Sequence, residues 1–128
     1  MNETEAYRLD ALLELGRAWP QSLTVAEIAR RRAIPVKFLA RLLGELAREE
    51  LVVTARGARG GVRLAAAPDG VAVARLLRVP PQPDAGGPAV RFLWARAAEA
   101  QVRALAGLTL AALLAVEDEA NATADFAI

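Results

Sequence analysis

Hydrophobic residues recur along this chain with two different periods. Tyr7, Ala11, Leu12, Leu15 and Ala18 fall at three- and four-residue spacings, which predicts a helix over residues 4–18 with one apolar face. Pro20 disfavours helix at Trp19 and ends it. Thr24 followed by Glu27 is a capping-box pair, so a short helix carrying Val25, Ile28 and Ala29 inward should start there. It closes on Arg30, Arg31 and Arg32, cations that suit the negative end of a helix dipole. Ala33 and Ile34 form a tight turn, and Pro35 pre-sets the next helix start because its missing N–H would have no partner there. That helix, residues 35–50, has Leu39, Leu42, Leu43 and Leu46 on one face. Val36, Lys37, Ala40, Arg41 and Gly44 lie on or beside the other.

The period then changes. Two β-prone runs, 51–56 and 62–64, flank the loop Gly57-Ala58-Arg59-Gly60-Gly61, the pattern of a hairpin. Pro68-Asp69-Gly70 is a turn, and residues 71–79 form a short helix with Val73, Leu76 and Leu77 available for a core. Residues 80–88 read as a Pro/Gly-rich linker by composition. A longer helix over 89–106 carries an apolar stripe of Val90, Leu93, Trp94, Ala97, Gln101 and Leu105. Gly107 and Thr109 suggest a break and a fresh cap before the helix 110–116. The expected fold is mainly α with a small two-stranded β wing: a winged helix-turn-helix over 1–79, the linker, dimerisation helices over 89–116, and an acidic, flexible tail over 117–128.

Composition narrows the chemistry. The 128 residues hold no Cys and no His, which removes disulfides, thiolate nucleophiles, imidazole bases and the usual zinc or iron–sulfur ligands. Lys37 is the only lysine, and no paired carboxylates sit on an apolar face, so an enzyme is not expected. Neither a metal nor a cofactor is expected. The start, MNETEAYRLD, lacks the basic-then-apolar order of an export signal, and the longest uncharged run, 104–116, is too short to span a bilayer. Both point to a cytoplasmic protein without a membrane partner.

Net charge is only +1, but residues 28–64 carry nine basic residues against three acidic, a net of +6. From Ala65 onward, five basic face seven acidic residues, a net of −2. A basic region confined to one segment is the footprint of a phosphate-binding surface. Lys37 and Arg41 sit one turn apart on a helix that fits the major groove, where Lys and Arg donate to guanine or to phosphates. Charged helix positions are more often simply solvated, so the order of elements weighs more than these two residues. Phe38 could contact a thymine methyl or pack. Arg56, Arg59 and Arg63 flank glycines at the hairpin tip, a design suited to the minor groove or backbone. Arg30 to Arg32 could approach phosphates or merely satisfy the helix dipole.

With these elements in order, the chain resembles the Rrf2 family of transcriptional regulators. Tyr7-Arg8-Leu9-Asp10-Ala11-Leu12-Leu13 is similar to the family's opening YALRALL. Leu23 to Ala29 resembles its capped second helix, and Ile34-Pro35-Val36-Lys37-Phe38-Leu39 its recognition helix. Leu51-Val52 through Arg56-Gly57-Ala58-Arg59-Gly60-Gly61-Val62-Arg63-Leu64 resembles LVxSxRGxxGGYxL, the most specific segment. Leu93-Trp94 and Leu108-Thr109-Leu110 resemble its C-terminal helices less specifically.

The resemblance implies a homodimer on a palindromic operator in double-stranded DNA. It implies DNA contacts from Thr24, Lys37, Phe38, Arg41, Arg56, Arg59, Gly60 and Gly61, and dimer contacts from Val90, Leu93, Trp94, Ala97, Gln101, Leu105 and Leu108. An unidentified ligand or protein effector would set its state. The chain departs from the family pattern in three places. Asp10 stands where a base is usual, Ala40 where an acid is usual, and the linker lacks the three Cys that hold an iron–sulfur cluster in many members. A cluster-free regulator is therefore expected. The alternative is a winged-helix module whose basic surface meets an acidic protein.

Overall fold

The structure, a computed structural model, describes residues 2–55, 60–77 and 86–126. Helix α1 spans Glu3–Ala18 and starts one residue earlier than the apolar pattern predicts, because Asn2 and Glu5 form a capping box. Helix α2 spans Val25–Arg32 with the expected Thr24–Glu27 capping box. It ends at Ala33 in the left-handed region, with φ 52°. Ile34 then drops into the core and its N–H returns to the Ala29 carbonyl.

Helix α3 spans Val36–Arg48 and buries Leu39, Leu42, Leu43 and Leu46. Its end is a Schellman turn rather than two further helical residues. Glu50 takes φ 61°, its N–H bonds the Ala47 carbonyl, and the Leu51 N–H bonds the Leu46 carbonyl. Strands β1 (Val52–Thr54) and β2 (Val62–Leu64) pair antiparallel, Val52 opposite Leu64 and Thr54 opposite Val62. Leu23 adds a bridge on the far side of Val62, with both backbone bonds at 2.8 Å. A 3-10 turn at Pro68–Gly70 leads to α4, Val73–Leu76, shorter than the expected nine residues.

The C-terminal half departs most from the sequence reading. Helix α5 spans Pro88–Leu105 and has no buried residue. Helix α6 starts at Leu110, where Thr109 Oγ1 accepts the Ala112 N–H as the expected cap. It does not stop at Val116 before a flexible tail. It runs to Phe126. Nor does α6 belong to a unit apart from residues 1–79. Leu110 is fully buried in the same cluster as Ala11, Leu12, Leu15, Leu39 and Leu64, with Leu113 and Leu114 packed on its edge. Gly16 on α1 gives that approach room: a Cβ there would stand a tight 3.0 Å from Leu114 Cδ1 and 3.4 Å from Leu110 Cδ2. Backbone bonds from Leu110 N–H to the Val71 carbonyl and from Val73 N–H to the Leu108 carbonyl stitch the start of α6 to the segment before α4.

Candidate nucleic-acid interface

The buried leucines of α3 fix which side of the helix faces out. Lys37 and Arg41 are both exposed, as are Val36, at 54%, and Ala40. Arg48 is exposed on the same face, eleven residues and so about three turns from Lys37. The sequence reading did not single it out, although its spacing of seven from Arg41 was a usable signal.

Phe38 is half-buried. Its ring meets Tyr7 edge-on, with centroids 5.6 Å apart at 72°, and the Arg41 guanidinium lies 4.8 Å from its centroid. Of the two readings left open for Phe38, the geometry favours packing, and that packing orients Arg41 outward by a cation–π contact. Tyr7 is held in turn by its hydroxyl, which donates to Glu3 at 2.9 Å. The Glu3 carboxylate raises the Tyr7 pKa.

Thr24 uses its hydroxyl oxygen to accept the Glu27 N–H at 3.1 Å, which leaves the hydroxyl hydrogen available to an oxygen outside. Gly61 has a structural task. A Cβ there would stand 3.0 Å from the Leu23 carbonyl oxygen, so a side chain would crowd the bridge that seats the wing. Gly60, also half-buried, precedes it. Arg56 and Arg59 lie outside the described residues, while Arg63 is exposed on β2.

The arginines closing α2 separate. Arg30 and Arg31 are exposed, with Arg31 3.7 Å from Glu14. Arg32 is turned away from solvent into carboxylates. It reaches both Glu117 oxygens at 2.7 Å, Glu14 at 2.8 Å and Asp10 at 3.2 Å. Asp10 is thus a partner of Arg32 on the far side of α1. Its negative charge does not stand on the α3 outer face.

Two buried charges had no place in the sequence reading. Arg8, 4% exposed, pairs with Glu49 at 2.9 Å and approaches Glu45 at 3.9 Å, tying α1 to the last turns of α3. Glu14 is 8% exposed against Arg32. Arg8 lies four and seven residues before the buried Leu12 and Leu15, and a cation inside an apolar stripe implies a carboxylate partner.

On α5, Val90, Leu93, Trp94 and Ala97 of the expected stripe are exposed, and Gln101 and Leu105 are half-buried. Leu108, beyond the helix, is also exposed, at 37%. Phe92, at 66%, and Val102, at 55%, were not singled out from the sequence. Phe92 is two positions from Val90 and so lies on another side of the helix.

A capped helix, a tight turn, an outward cationic helix and a hairpin behind it define a winged helix-turn-helix of the transcription-regulator class. The model of the Rrf2 family, described as an iron-dependent transcriptional regulator, matches residues 1–116. The chain belongs to the Rrf2 family.

A stretch of 76 residues is 42% identical to an Rrf2-like helix-turn-helix regulator of Rhodobacter capsulatus, covering 56% of this chain and 51% of that protein. Over 72 residues it is 36% identical to a helix-turn-helix regulator of Aquifex aeolicus, covering 56% and 50%. The match spans about half the length of these relatives. Among solved structures, CymR, the global cysteine regulator of B. subtilis, is 27% identical with a TM-score of 0.72, covering 91% of this chain and 96% of CymR. T. potens IscR shares the fold, with a TM-score of 0.77 at 24% identity, covering 94% and 89%. The Rhodobacter and Aquifex relatives and CymR are regulators, not enzymes. Among the described residues, no helix is long and apolar enough to cross a membrane.

Proposed function

We propose that this chain is a sequence-specific DNA-binding regulator that acts as a homodimer on an inverted repeat and uses no iron–sulfur cluster. The observation that carries the reading is the outward face of α3, with Lys37, Arg41 and Arg48 exposed in one row and Arg41 oriented by Phe38. Lys37 and Arg41 read base edges, Thr24 and Gly60 lie toward the DNA backbone, and Arg56 and Arg59 serve the wing.

The dimer reading is supported by α5. A helix with Val90, Leu93 and Trp94 exposed along its stripe, and Phe92 and Val102 exposed beyond it, leaves an apolar surface that monomers seldom carry. A second copy offering the same stripe is the simplest closed cover, and it would space two reading helices for two half-sites. The cluster-free reading is supported by the donor set. The chain has no Cys or His to bind iron or sulfide-bridged iron, and the described residues hold no group of three or more His, Cys, Asp or Glu placed to bind a metal.

The decisive experiment is selection of bound sequences from a random duplex library with the purified chain. Recovery of an inverted repeat, bound with a steep salt dependence, is expected. Failure to enrich any sequence while the protein stays folded would overturn the reading, and an acidic protein partner would then be the surviving role for the basic face.

A further inference from the structure

The Arg32 guanidinium sits where three helices meet. Arg32 is the last residue of α2, and one left-handed residue, the anchored Ile34 and Pro35 are all that separate it from α3. Displacement of Arg32 is therefore carried within five residues to Lys37. On the other side, α6 is anchored at the fully buried Leu110. Leu110, Leu113, Leu114 and Glu117 follow i, i+3, i+4, i+7 spacing, so Glu117 occupies the next place on the face turned toward α1.

There Glu117 receives Arg32 through both of its oxygens, at 2.7 Å each, in the fork geometry that is strongest for this pair. Arg17 from α1 also donates to Glu117 and to Asp118. Arg32 and Glu117 are 14% and 26% exposed, so the contact is screened less than a surface pair. Glu117 also lies just beyond residues 1–116, the segment matched by the family.

We propose that Glu117 is a positioning residue for DNA binding: by clasping Arg32 it locks the end of α2, and with it the start of α3, onto the C-terminal helix. This rests on the DNA-binding reading above. A partly buried ion pair can select one arrangement of packed elements over others. Glu117 itself touches no DNA in this scheme, so its loss lowers discrimination and leaves the general attraction to phosphates intact.

The test compares wild type, Glu117→Gln and Asp118→Asn on the selected operator and on unrelated duplex DNA, at a temperature where circular dichroism shows each variant folded. Glu117→Gln is expected to lower operator affinity about tenfold, within the coupling seen for residues of one network. Affinity for unrelated DNA should be unchanged, and Asp118→Asn, which pairs with Arg17, should match wild type. A double cycle with Arg32→Gln should be non-additive.

Unchanged operator affinity in Glu117→Gln would overturn the proposal. So would tighter binding to both duplexes with a steeper salt slope, which would mean that Glu117 merely withholds Arg32 from phosphate. If Glu117→Gln melts in the assay range, Glu117→Asp, which keeps the charge and shortens the reach, takes its place under the same criteria. A wild-type chain that selects no operator refutes the functional reading; a selective wild type with an equally selective variant refutes only the clasp.

Discussion

Replacing Leu110 by Ala tests whether the C-terminal helix belongs to the DNA-binding core. Leu110 is 0% exposed and packs over the notch left by Gly16, with its Cδ2 3.4 Å from where a Cβ on Gly16 would stand. Truncation removes apolar contacts and leaves a cavity bounded on one side by α1 at a glycine, where no side chain can lean in to fill it. Buried Leu→Ala changes cost about 2–5 kcal/mol, and a wall that cannot collapse places this one in the upper half, about 3–5 kcal/mol. With an m-value of about 2 kcal/mol per molar urea, the midpoint should fall by about 1.5–2.5 M.

The assay is urea unfolding followed by far-UV circular dichroism at one fixed protomer concentration, because dimerisation links stability to concentration. A loss below about 1 kcal/mol, or a first transition that leaves α1–α3 intact, would refute the reasoning. It would mean that residues 1–79 form a self-sufficient core, as the sequence pattern suggests. A truncation after Asp84 probes the same packing. Removing Leu110, Leu113 and Leu114 takes core residues away as well as α5, so the fragment should be destabilised as well as monomeric.

Other outcomes follow from single contacts. Lys37→Ala or Arg41→Ala should weaken operator binding by about 1–3 kcal/mol if a base is read, or evenly on all sequences with a salt slope flatter by about one if only phosphate is met. Gly61→Ala should lower the melting temperature through its clash with the Leu23 carbonyl, at a cost of about 1–3 kcal/mol, and weaken DNA binding only as far as it unfolds the wing. Leu93→Asp should yield a monomer by sedimentation at micromolar concentration, while a dimer with wild-type affinity would remove α5 from the interface.

Acid should loosen the α6 clasp. Arg32, and then Arg17, pull the Glu117 carboxyl down to about 2 against the opposing effect of burial. Asp10 and Glu14 also meet the Arg32 guanidinium and Asp118 that of Arg17, while Arg31 lies 3.7 Å from Glu14. A carboxyl depressed on folding stabilises fully above its unfolded value of 4.5 and stops doing so as pH falls toward 2. The depression corresponds to about 3 kcal/mol before solvent screening, which for a quarter-exposed group leaves roughly 1–2 kcal/mol. The stability difference between wild type and Glu117→Gln should therefore be present at pH 7 and shrink between about pH 4.5 and 2; a pH-independent difference would contradict it.

Local signals made the N-terminal half legible. The Thr24–Glu27 box, Pro35 and the four buried leucines of α3 each act within a few residues, and each lies where the sequence places it. The Glu50 turn was missed because a left-handed non-glycine residue has no compositional mark. The membership of α6 in the core was missed for a different reason. It depends on Gly16 and Leu110, ninety-four positions apart, and a glycine within a helix does not announce what it admits. Likewise the acidic residues after Val116 read as a solvated tail until Arg32 and Arg17 are seen opposite them. In the candidate site, Lys37 and Arg41 were legible from periodicity. The packing of Phe38 and the structural need for Gly61 depend on Tyr7 and Leu23, which approach only in the folded chain.

The charge asymmetry of the sequence acquires a different meaning once the pairs are known. The net of +6 over residues 28–64 treats all cations there as available. Arg32 is not: it is surrounded by Asp10, Glu14 and Glu117 behind the helix-turn-helix. Of the three acids of that segment, Glu49 pairs with Arg8 at 2.9 Å and Glu45 approaches it at 3.9 Å. Pairing thus neutralises Arg8 and Arg32, while Lys37, Arg41 and Arg48 remain exposed in one row on α3. A field concentrated on one face steers a polyanion to that face, which a uniformly basic domain of the same net charge would not do. The acidic C-terminal half contributes to that asymmetry through Glu117 and Asp118, which neutralise Arg32 and Arg17, two cations outside the α3 row.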